Sequence, residues 1–434
     1  GKALILGFLF LVLLIPMQMI LGLVRERENR QLSVTKEVSS KWGGDQRLIG
    51  PLLVVPYLDR SISNTSRAKA VKKYFYVLPQ SLEVQSDIAT QTRRRSIYDV
   101  TLYENQLSIQ GQFSLDVLRA GAIAQKDWLL KESRLILAIS DLKGIQGETR
   151  IRWQDQDIEA SIGMPPQGLH SSLIEAKLPQ VPPDQPCRFS MDFRIRGSRR
   201  FFIAPAGKQT SVSLQSNWPH PSFDGMFLPG TRTISPSGFS AQWNISHLNR
   251  QLPQGWTSEA GDAMYAQLQA SSLGVVLTQP VNHYSKAERS TKYAGLFFVL
   301  TFAVFFLNEI LAGRLFHPVQ YLMVGFALSL FYLLMLSLSE FLPFSISYTV
   351  AAGMVTALLT AYVHGVFRSR AFAAQLGLFF SGLYAFLYAL LQLEDHALLV
   401  GSLMLFVALS WIMLASRKID WYRLAVRPVS NRVH

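Results

Sequence analysis

Six long apolar runs constrain this chain more than any other feature. The first, Ala3 to Val24, is interrupted only by Pro16 and Gln18. After a long gap come five more, approximately Tyr293 to Leu311, Pro318 to Ser339, Phe344 to Val363, Phe372 to Leu391 and Ala397 to Ala415. A helix crossing the hydrocarbon core needs roughly 20 mostly apolar residues, so each run is long enough to span. The joints between the last five are too short to hold a soluble domain. The sequence therefore predicts one N-terminal transmembrane helix and a C-terminal bundle of five. The hydrophobic content of 49% and the mean hydropathy of +0.19 agree with a membrane protein.

The first run exceeds the apolar stretch of a usual signal peptide, and Arg25 follows Val24 without a small-residue cleavage site. It reads as an uncleaved anchor. Orientation follows from Lys and Arg in short loops, which stay on the cytoplasmic side. Arg314, Arg368 and Arg370 lie in alternate joints, and Arg417, Lys418, Arg423, Arg427 and Arg432 follow the last run. The other joints carry Glu340, Glu394 and Asp395. This pattern predicts that both termini are cytoplasmic and that residues 25–292 lie on the opposite side. Arg25, Arg27, Arg30, Lys286, Arg289 and Lys292 argue the other way, although Glu26 and Glu28 are interleaved with the first three.

The divisions that follow are an anchor at 1–24, an extramembrane domain at 25–292, a helix bundle at 293–416 and a basic tail at 417–434. The chain's formal net charge is +13, and most of that excess lies in residues 25–292. Such a domain beside a lipid surface is expected to associate with anionic headgroups or anionic envelope polymers. Nucleic acid fits the charge but not the location. Cys187 is the only cysteine, so no intrachain disulfide can form.

Within the domain, Arg25 to Trp42 lacks Gly and Pro and spaces Val34, Val38 and Trp42 by four, which predicts a helix. A turn at Gly43 and Gly44 follows. Short alternating runs then predict antiparallel strands in a sandwich-like arrangement. They are Leu52 to Leu58, Lys73 to Leu78, Ile97 to Tyr103, Leu135 to Ile139, Phe189 to Ile195, Thr210 to Leu214, Phe239 to Ile245 and Val275 to Thr278. Helices are expected near Leu115 to Ile123 and Asp262 to Leu268. The Pro-, Gly- and Ser-rich connection at 163–186 is a candidate subdomain boundary. The fold class is thus membrane α+β with a large antiparallel β-rich domain.

Phosphate loops, dinucleotide fingerprints, H-E-x-x-H zinc helices, C-x-x-C pairs and nucleophile elbows are all missing from the sequence. No metal ligands, catalytic residues or cofactor are assigned. The most unusual segment is Asn217 to Pro229, NWPHPSFDGMFLP. Its Trp218, His220, Ser222, Phe223 and Asp224 form a candidate binding loop, and His220, Ser222 and Asp224 are the residue types of a nucleophile, a base and an orienting carboxylate. Pro219 and Pro221 equally fit a rigid structural turn. Polar groups near a membrane are costly and often functional, which singles out Asn308, Glu309, His317 and Gln320 as one candidate cluster. Glu340, Glu394 and Asp395 form a second at the opposite end. Each of these two sets also suits solvated headgroup-level positions.

Several long segments, in order, resemble the CreD family of bacterial inner-membrane proteins. They include KWGGDQRLIGPLLVVPY (Lys41 to Tyr57), RRRSIYDVTLY (Arg93 to Tyr103), SNWPHPSFDGMFLP (Ser216 to Pro229), HPVQYLMVGFALSLFYLLMLSLSE (His317 to Glu340), LLQLEDHALLVGSL (Leu390 to Leu403) and RKIDWY (Arg417 to Tyr422). PVNHYSKAERSTKYAGLFFVLTF (Pro280 to Phe302) is another. Ser96 departs from the family's R-G-I-Y pattern, which bears on a local turn. The resemblance implies a cell-envelope integrity protein of the inner membrane with its large domain in the periplasm. It also implies induction under envelope stress through a two-component system, and links to colicin tolerance and β-lactam response. The family brings no established catalytic residues. The expected function is a non-enzymatic scaffold or binding protein whose partners are the bilayer, anionic lipid or envelope polymer and other inner-membrane or periplasmic proteins. The alternative is a membrane enzyme or transporter acting on a lipid-linked or envelope substrate.

Overall fold

The computed structural model of the chain describes residues 2–60, 70–119, 123–124, 127–164, 172–279, 283–312, 316–393 and 397–417. Its contacts gather into two compact units. One is Leu32–Pro280, and the other joins Gly1–Gln31 to Val281–His434.

Helix α1 (Lys2–Trp42) is continuous through the expected boundary at Val24. At 1.5 Å per residue its 41 residues reach about 60 Å, roughly twice the hydrocarbon thickness. Only its apolar first part suits lipid. The charged part, beginning at Arg25, needs water.

In the unit Leu32–Pro280 the first strands are β1 (Gln46–Asp59), β2 (Val71–Val77), β3 (Ser81–Arg95), β4 (Tyr98–Phe113) and, after the short α2 (Asp116–Arg119), β5 (Arg134–Ile139). Then come β6 (Ile145–Trp153), β7 (Gln156–Ile158), β8 (Ser161–Gly163), β9 (Leu173–Lys177), β10 (Cys187–Ser198) and β11 (Arg200–Ile203). The last are β12 (Gln209–Ser216), β13 (Pro221–Gly225), β14 (Thr231–Ser235), β15 (Gly238–Ser246), helix α3 (His247–Arg250), β16 (Gly255–Thr257), helix α4 (Gly261–Ala270) and β17 (Leu273–Leu277). Each expected strand coincides with one of these, although Leu78, Ile97 and Thr278 lie one residue beyond β2, β4 and β17. Of the helix expected at Leu115 to Ile123 only α2 forms among the described residues, and residues 120–122 lie outside them.

The strands build a nine-stranded sheet, in the order β13-β17-β11-β1-β5-β9-β8 with β2 beside β1 and β16 beside β2. An eight-stranded sheet has the order β14-β15-β12-β3-β4-β10-β6-β7. The expectation of an antiparallel domain needs correction: β1 pairs with β11 in parallel, and so does β12 with β3. Both parallel pairs join strands far apart in sequence, where no hairpin dictates direction. One hydrophobic core takes side chains from both sheets, such as Leu53, Leu137 and Ile203 from the first and Val84, Ile109 and Trp243 from the second. Helix α4 adds Tyr265 and Leu268.

The two sheets are covered differently. Along β1 the residues from Leu48 to Tyr57 are all buried, and so are Leu135 to Ile139 of β5. In the second sheet β12, β3 as far as Ala89 and β10 as far as Gly197 alternate between buried and open positions. That period of two means one face packs on the core and the other meets solvent. Trp153 and Trp243 are fully buried, and their indole N–H groups donate to the carbonyls of Gln180 and Phe227 at 2.9 and 3.0 Å. An indole needs such a partner to enter a core without penalty.

In the other unit the helices after α4 are α5 (His283–Lys292), α6 (Ala294–Ala312), α7 (Pro318–Ser339), α8 (Phe344–Phe367), α9 (Arg370–Gln392) and α10 (Ala397–Ser416). Among the described residues α1, α7, α8 and α9 are long and apolar enough to cross a membrane, and α5 with α6, bent by 40° between them, meets the same length and composition only when the two are taken together. The apolar stretch Leu399–Leu414 within α10 is shorter. Several apolar C-terminal helices are therefore present beside the N-terminal one.

Candidate functional site

The segment Asn217–Pro229 does not form a free loop. After β12 it crosses to the edge of the first sheet as β13, then returns to the edge of the second as β14. Asn217 fastens the crossing by accepting from the backbone N–H and hydroxyl of Thr90 at 2.8 and 2.7 Å. The Trp218 indole donates to the Thr278 carbonyl at 3.0 Å, and the Thr278 hydroxyl donates to the His220 carbonyl at 2.8 Å. Phe223 turns inward, edge-on to Phe239 and Trp243 at 5.5 and 5.8 Å. His220, Ser222 and Asp224 are exposed. No hydrogen bond among the described residues joins them, and Asp224 instead accepts from the N–H of Gly225 at 2.8 Å. The residues for a triad are near in sequence but are not assembled as one.

In the bundle, His317 and Gln320 are occupied at the start of α7. His317 Nδ1 accepts from Val319 N–H, Gln320 Oε1 accepts from His317 N–H, and Pro318 fills the first turn. This is a reciprocal cap that satisfies orphan donors. Asn308 donates to the carbonyl of Val304 one turn back. Glu309 is buried and accepts from the Tyr321 hydroxyl at 3.3 Å. Phe302, Phe305 and Phe316 surround Tyr321 with centroids at 5.4 to 6.0 Å. Of the four polar residues, Glu309 alone sits among apolar side chains with its carboxylate turned to another helix.

At the opposite end of the bundle, Glu340 caps α7 and pairs with Arg27 of α1 at 3.4 Å. Glu288 of α5 pairs with Arg25 and Lys292, each at 3.4 Å. Lys286 donates to Gln392 and Arg289 to the Leu393 carbonyl. Glu394 and Asp395 lie outside the described residues. Of the basic residues that oppose the expected orientation, Arg25, Arg27 and Lys292 are thus paired with acids, while Lys286 and Arg289 donate to uncharged oxygens. A groove of about 840 Å³ runs between α8 and α9, lined by small residues including Ala352, Gly353, Thr356 and Thr360, with His364 and Arg370 at one end.

A cluster of arginines around Trp42 lies in the β unit and was not singled out by sequence reasoning. Trp42, the last residue of α1, holds the guanidinium of Arg93 at 4.1 Å from its ring and that of Arg196 at 4.0 Å. Its indole donates to the Tyr103 carbonyl. Gly43 makes the turn that seats it: φ is +151°, and a Cβ there would lie 2.6 Å from the Arg196 carbonyl oxygen. Arg93 begins the arginine tip of the β3–β4 hairpin, with Arg94 and Arg95 following and Ser96 turning at φ +58°. Arg196 also pairs with Glu104 at 2.8 Å, and Arg95 lies 3.9 Å from Glu37. Lys41 and Arg95 hold the Glu37 carboxyl below its usual range, the Lys41 hydrogen bond contributing most. Arg94 is exposed with no partner among the described residues. Such an array has the donors and charge to suit an anion and is poorly suited to proton transfer, because guanidinium keeps its proton. The signal was in the sequence as Arg93-Arg94-Arg95 near a hairpin turn, but Trp42 and Arg196 join it only through the fold.

Among the described residues no group of three or more His, Cys, Asp or Glu is placed to hold a metal ion. Burial pushes the Cys187 thiol up to about 11.

Comparison with solved structures finds an M1 zinc metallopeptidase from Deinococcus radiodurans at 11% identity, covering 46% of this chain and 42% of that one with a TM-score of 0.23. A variant of the same enzyme gives 0.25 over the same shares. Overlap of that size carries no argument about fold or activity. The sequence comparisons are of another order. The chain is 31% identical over 419 residues to the inner membrane protein CreD of Escherichia coli (strain K12), covering 95% of this chain and 91% of that protein. The family model described as inner membrane protein CreD matches residues 1–422. With its several apolar helices and this full-length agreement, the chain belongs to the CreD family of multi-pass inner-membrane proteins.

Proposed function

We propose that this chain is an envelope-integrity protein that works by binding rather than catalysis. Its β unit faces the periplasm, both termini are cytoplasmic, and the helix bundle anchors it or couples it to other membrane proteins. The basic end formed by Arg93, Arg94, Arg95, Trp42 and Arg196 takes the anionic groups of lipid or envelope polymer. The observation that carries this reading is the stack of two guanidiniums on Trp42. The stack fixes two positive charges in place beside the free Arg94, so less side-chain entropy is lost when an anion arrives. Roles in stress response, colicin tolerance and β-lactam response belong to this same proposal. They follow if envelope damage changes what the basic end can reach.

The test is a photoreactive residue placed at position 94 in native membranes, with a second at position 234 on β14 as reference. The expected result is capture of phosphate- or carboxylate-bearing lipid or polymer from position 94 only. Equal capture at both positions, or none at 94, contradicts the reading.

Glu309 supports a second reading, in which the bundle moves a proton or a substrate. A carboxylate among apolar helices facing a tyrosine is the kind of group that intramembrane chemistry uses. If Glu309→Gln at normal protein level abolishes the envelope phenotype, this reading replaces the first.

A further inference from the structure

The solvent face of the second sheet has an unusual composition. In register across β15, β12, β3, β4 and β10 lie Asn244, Ser211, Glu83, Gln110 and Ser190. The next row reads Gln242, Ser213, Gln85, Ser108 and Asp192. Over Gly238–Ser246, Gln209–Ser216, Ser81–Ile88 and Gln106–Gln112, every outward position is Ser, Gln, Asn or an acid, and the cations of this face stand to one side, as Arg188 and Arg194 on β10 and Arg150 and Arg152 on β6. The same domain is otherwise strongly basic. Solvation alone does not ask for this, because Lys and Thr also keep a face wet, and Thr and other β-branched residues would strengthen the strands.

The side chains are arranged as well as selected. Glu83 accepts from the amide N–H groups of Gln85 and Gln110 at 2.9 and 2.8 Å. These bonds hold its carboxyl below the usual range, the Gln85 bond contributing most. Each amide keeps its carbonyl oxygen and second N–H for an outside partner. Around Glu83 the face dips into a depression of about 570 Å³ that also takes in Ser211, Ser190, Asn244 and, on β10, Arg188, a volume in the range of ligand sites.

We propose that this face is a binding site for an uncharged, linear glycan. Amides and hydroxyls that both donate and accept match sugar hydroxyls and acetamido groups. A fixed carboxylate is a strong acceptor for paired hydroxyls. The one cation lining the depression, Arg188, is balanced by the Glu83 carboxylate at its centre, which argues against an anionic occupant. Neighbouring strands lie about 4.8 Å apart, close to the repeat of a β-linked pyranose chain, so a glycan lying across the strands meets a fresh row of partners at each ring. The site is separate from the basic end, and its ligand chemistry goes beyond the function proposed above.

The experiment titrates the full chain in nanodiscs with cello- and chito-tetrasaccharides, read by saturation-transfer NMR. Saturable binding that does not weaken between low and high salt is expected. Ser211→Arg and Gln110→Ala each lose roughly tenfold in affinity, the worth of a hydrogen bond to a charged group or of a filled site. Lys177→Ala, on β9 of the other sheet, leaves binding unchanged. Thermal unfolding of each variant at the wild-type temperature shows that the fold is kept, and Gln110→Ala serves where the larger Ser211→Arg does not fold. Absence of binding to either oligosaccharide overturns the proposal. So does binding that both face variants leave intact, or binding that falls with salt and is lost in Arg94→Glu, which assigns it to the basic end.

Discussion

The two sheets of the β unit share one core but treat their outer faces differently. The central strands of the first, β1 and β5, are buried on both sides, and their sequences read as almost unbroken apolar runs. Strands of the second alternate, and their open positions carry amides, hydroxyls and charged groups. A strand buried on both sides has its residues chosen by packing. A strand open on one side leaves half its residues free for recognition, so stability is concentrated in the first sheet and surface chemistry in the second.

Leu137→Ala on β5, where the side chain is fully buried, tests that division most strongly. It should cost about 2–5 kcal/mol in denaturant unfolding of the detergent-solubilised chain. Gln85→Thr on the open face of β3 should move stability by less than about 0.5 kcal/mol. Comparable losses for the two would dissolve the contrast. Gly43→Ala comes next. Its Cβ would collide with the Arg196 carbonyl in a positive-φ turn, and a cost of about 1–3 kcal/mol is expected. Trp42 fluorescence should shift with it as the two guanidiniums leave the ring.

Much of this division can be read along the chain and some of it cannot. The apolar runs mark the helices, and alternation marks the strands, because both signals are local. The parallel pairings of β1 with β11 and β3 with β12 escape such reading, since they depend on which distant strands share the core. Arg93 and Arg196 meet on Trp42 for the same reason. The triad residues of Asn217–Pro229 mislead in the opposite way. They are neighbours in sequence, but the alternation of an edge strand sends Phe223 inward and leaves His220, Ser222 and Asp224 unjoined. Glu309 was visible as a charge in an apolar run, although its partner Tyr321 was not.

Ser96 offers a smaller effect. It stands in the left-handed region at φ +58°, so Ser96→Gly should relieve about 0.5–1 kcal/mol of strain, seen as a higher melting temperature. Cys187 checks the core without altering it. With its thiol pushed up to about 11 by burial, the thiolate is scarce at neutral pH, and maleimide labelling should be slow until the chain unfolds or the pH approaches that value. Fast labelling of the folded chain at pH 7 would show that the sheets do not close over β10. The least effect is expected from acidification at Glu83. Its lowered carboxyl contributes stability above the ordinary carboxylate range, and that contribution disappears as pH falls through its depressed value. Glu83→Gln should flatten this part of the pH profile.

By the function proposed above, the chain acts through the surface of its β unit and not through chemistry in its helices. The most direct measurement compares envelope permeability in cells carrying Arg93→Glu with Arg94→Glu against cells carrying Glu309→Gln, at matched protein levels. The prediction is a leaky envelope in the first strain and a wild-type barrier in the second. A sound barrier with the arginines reversed and a failed one with Glu309 neutralised would contradict it.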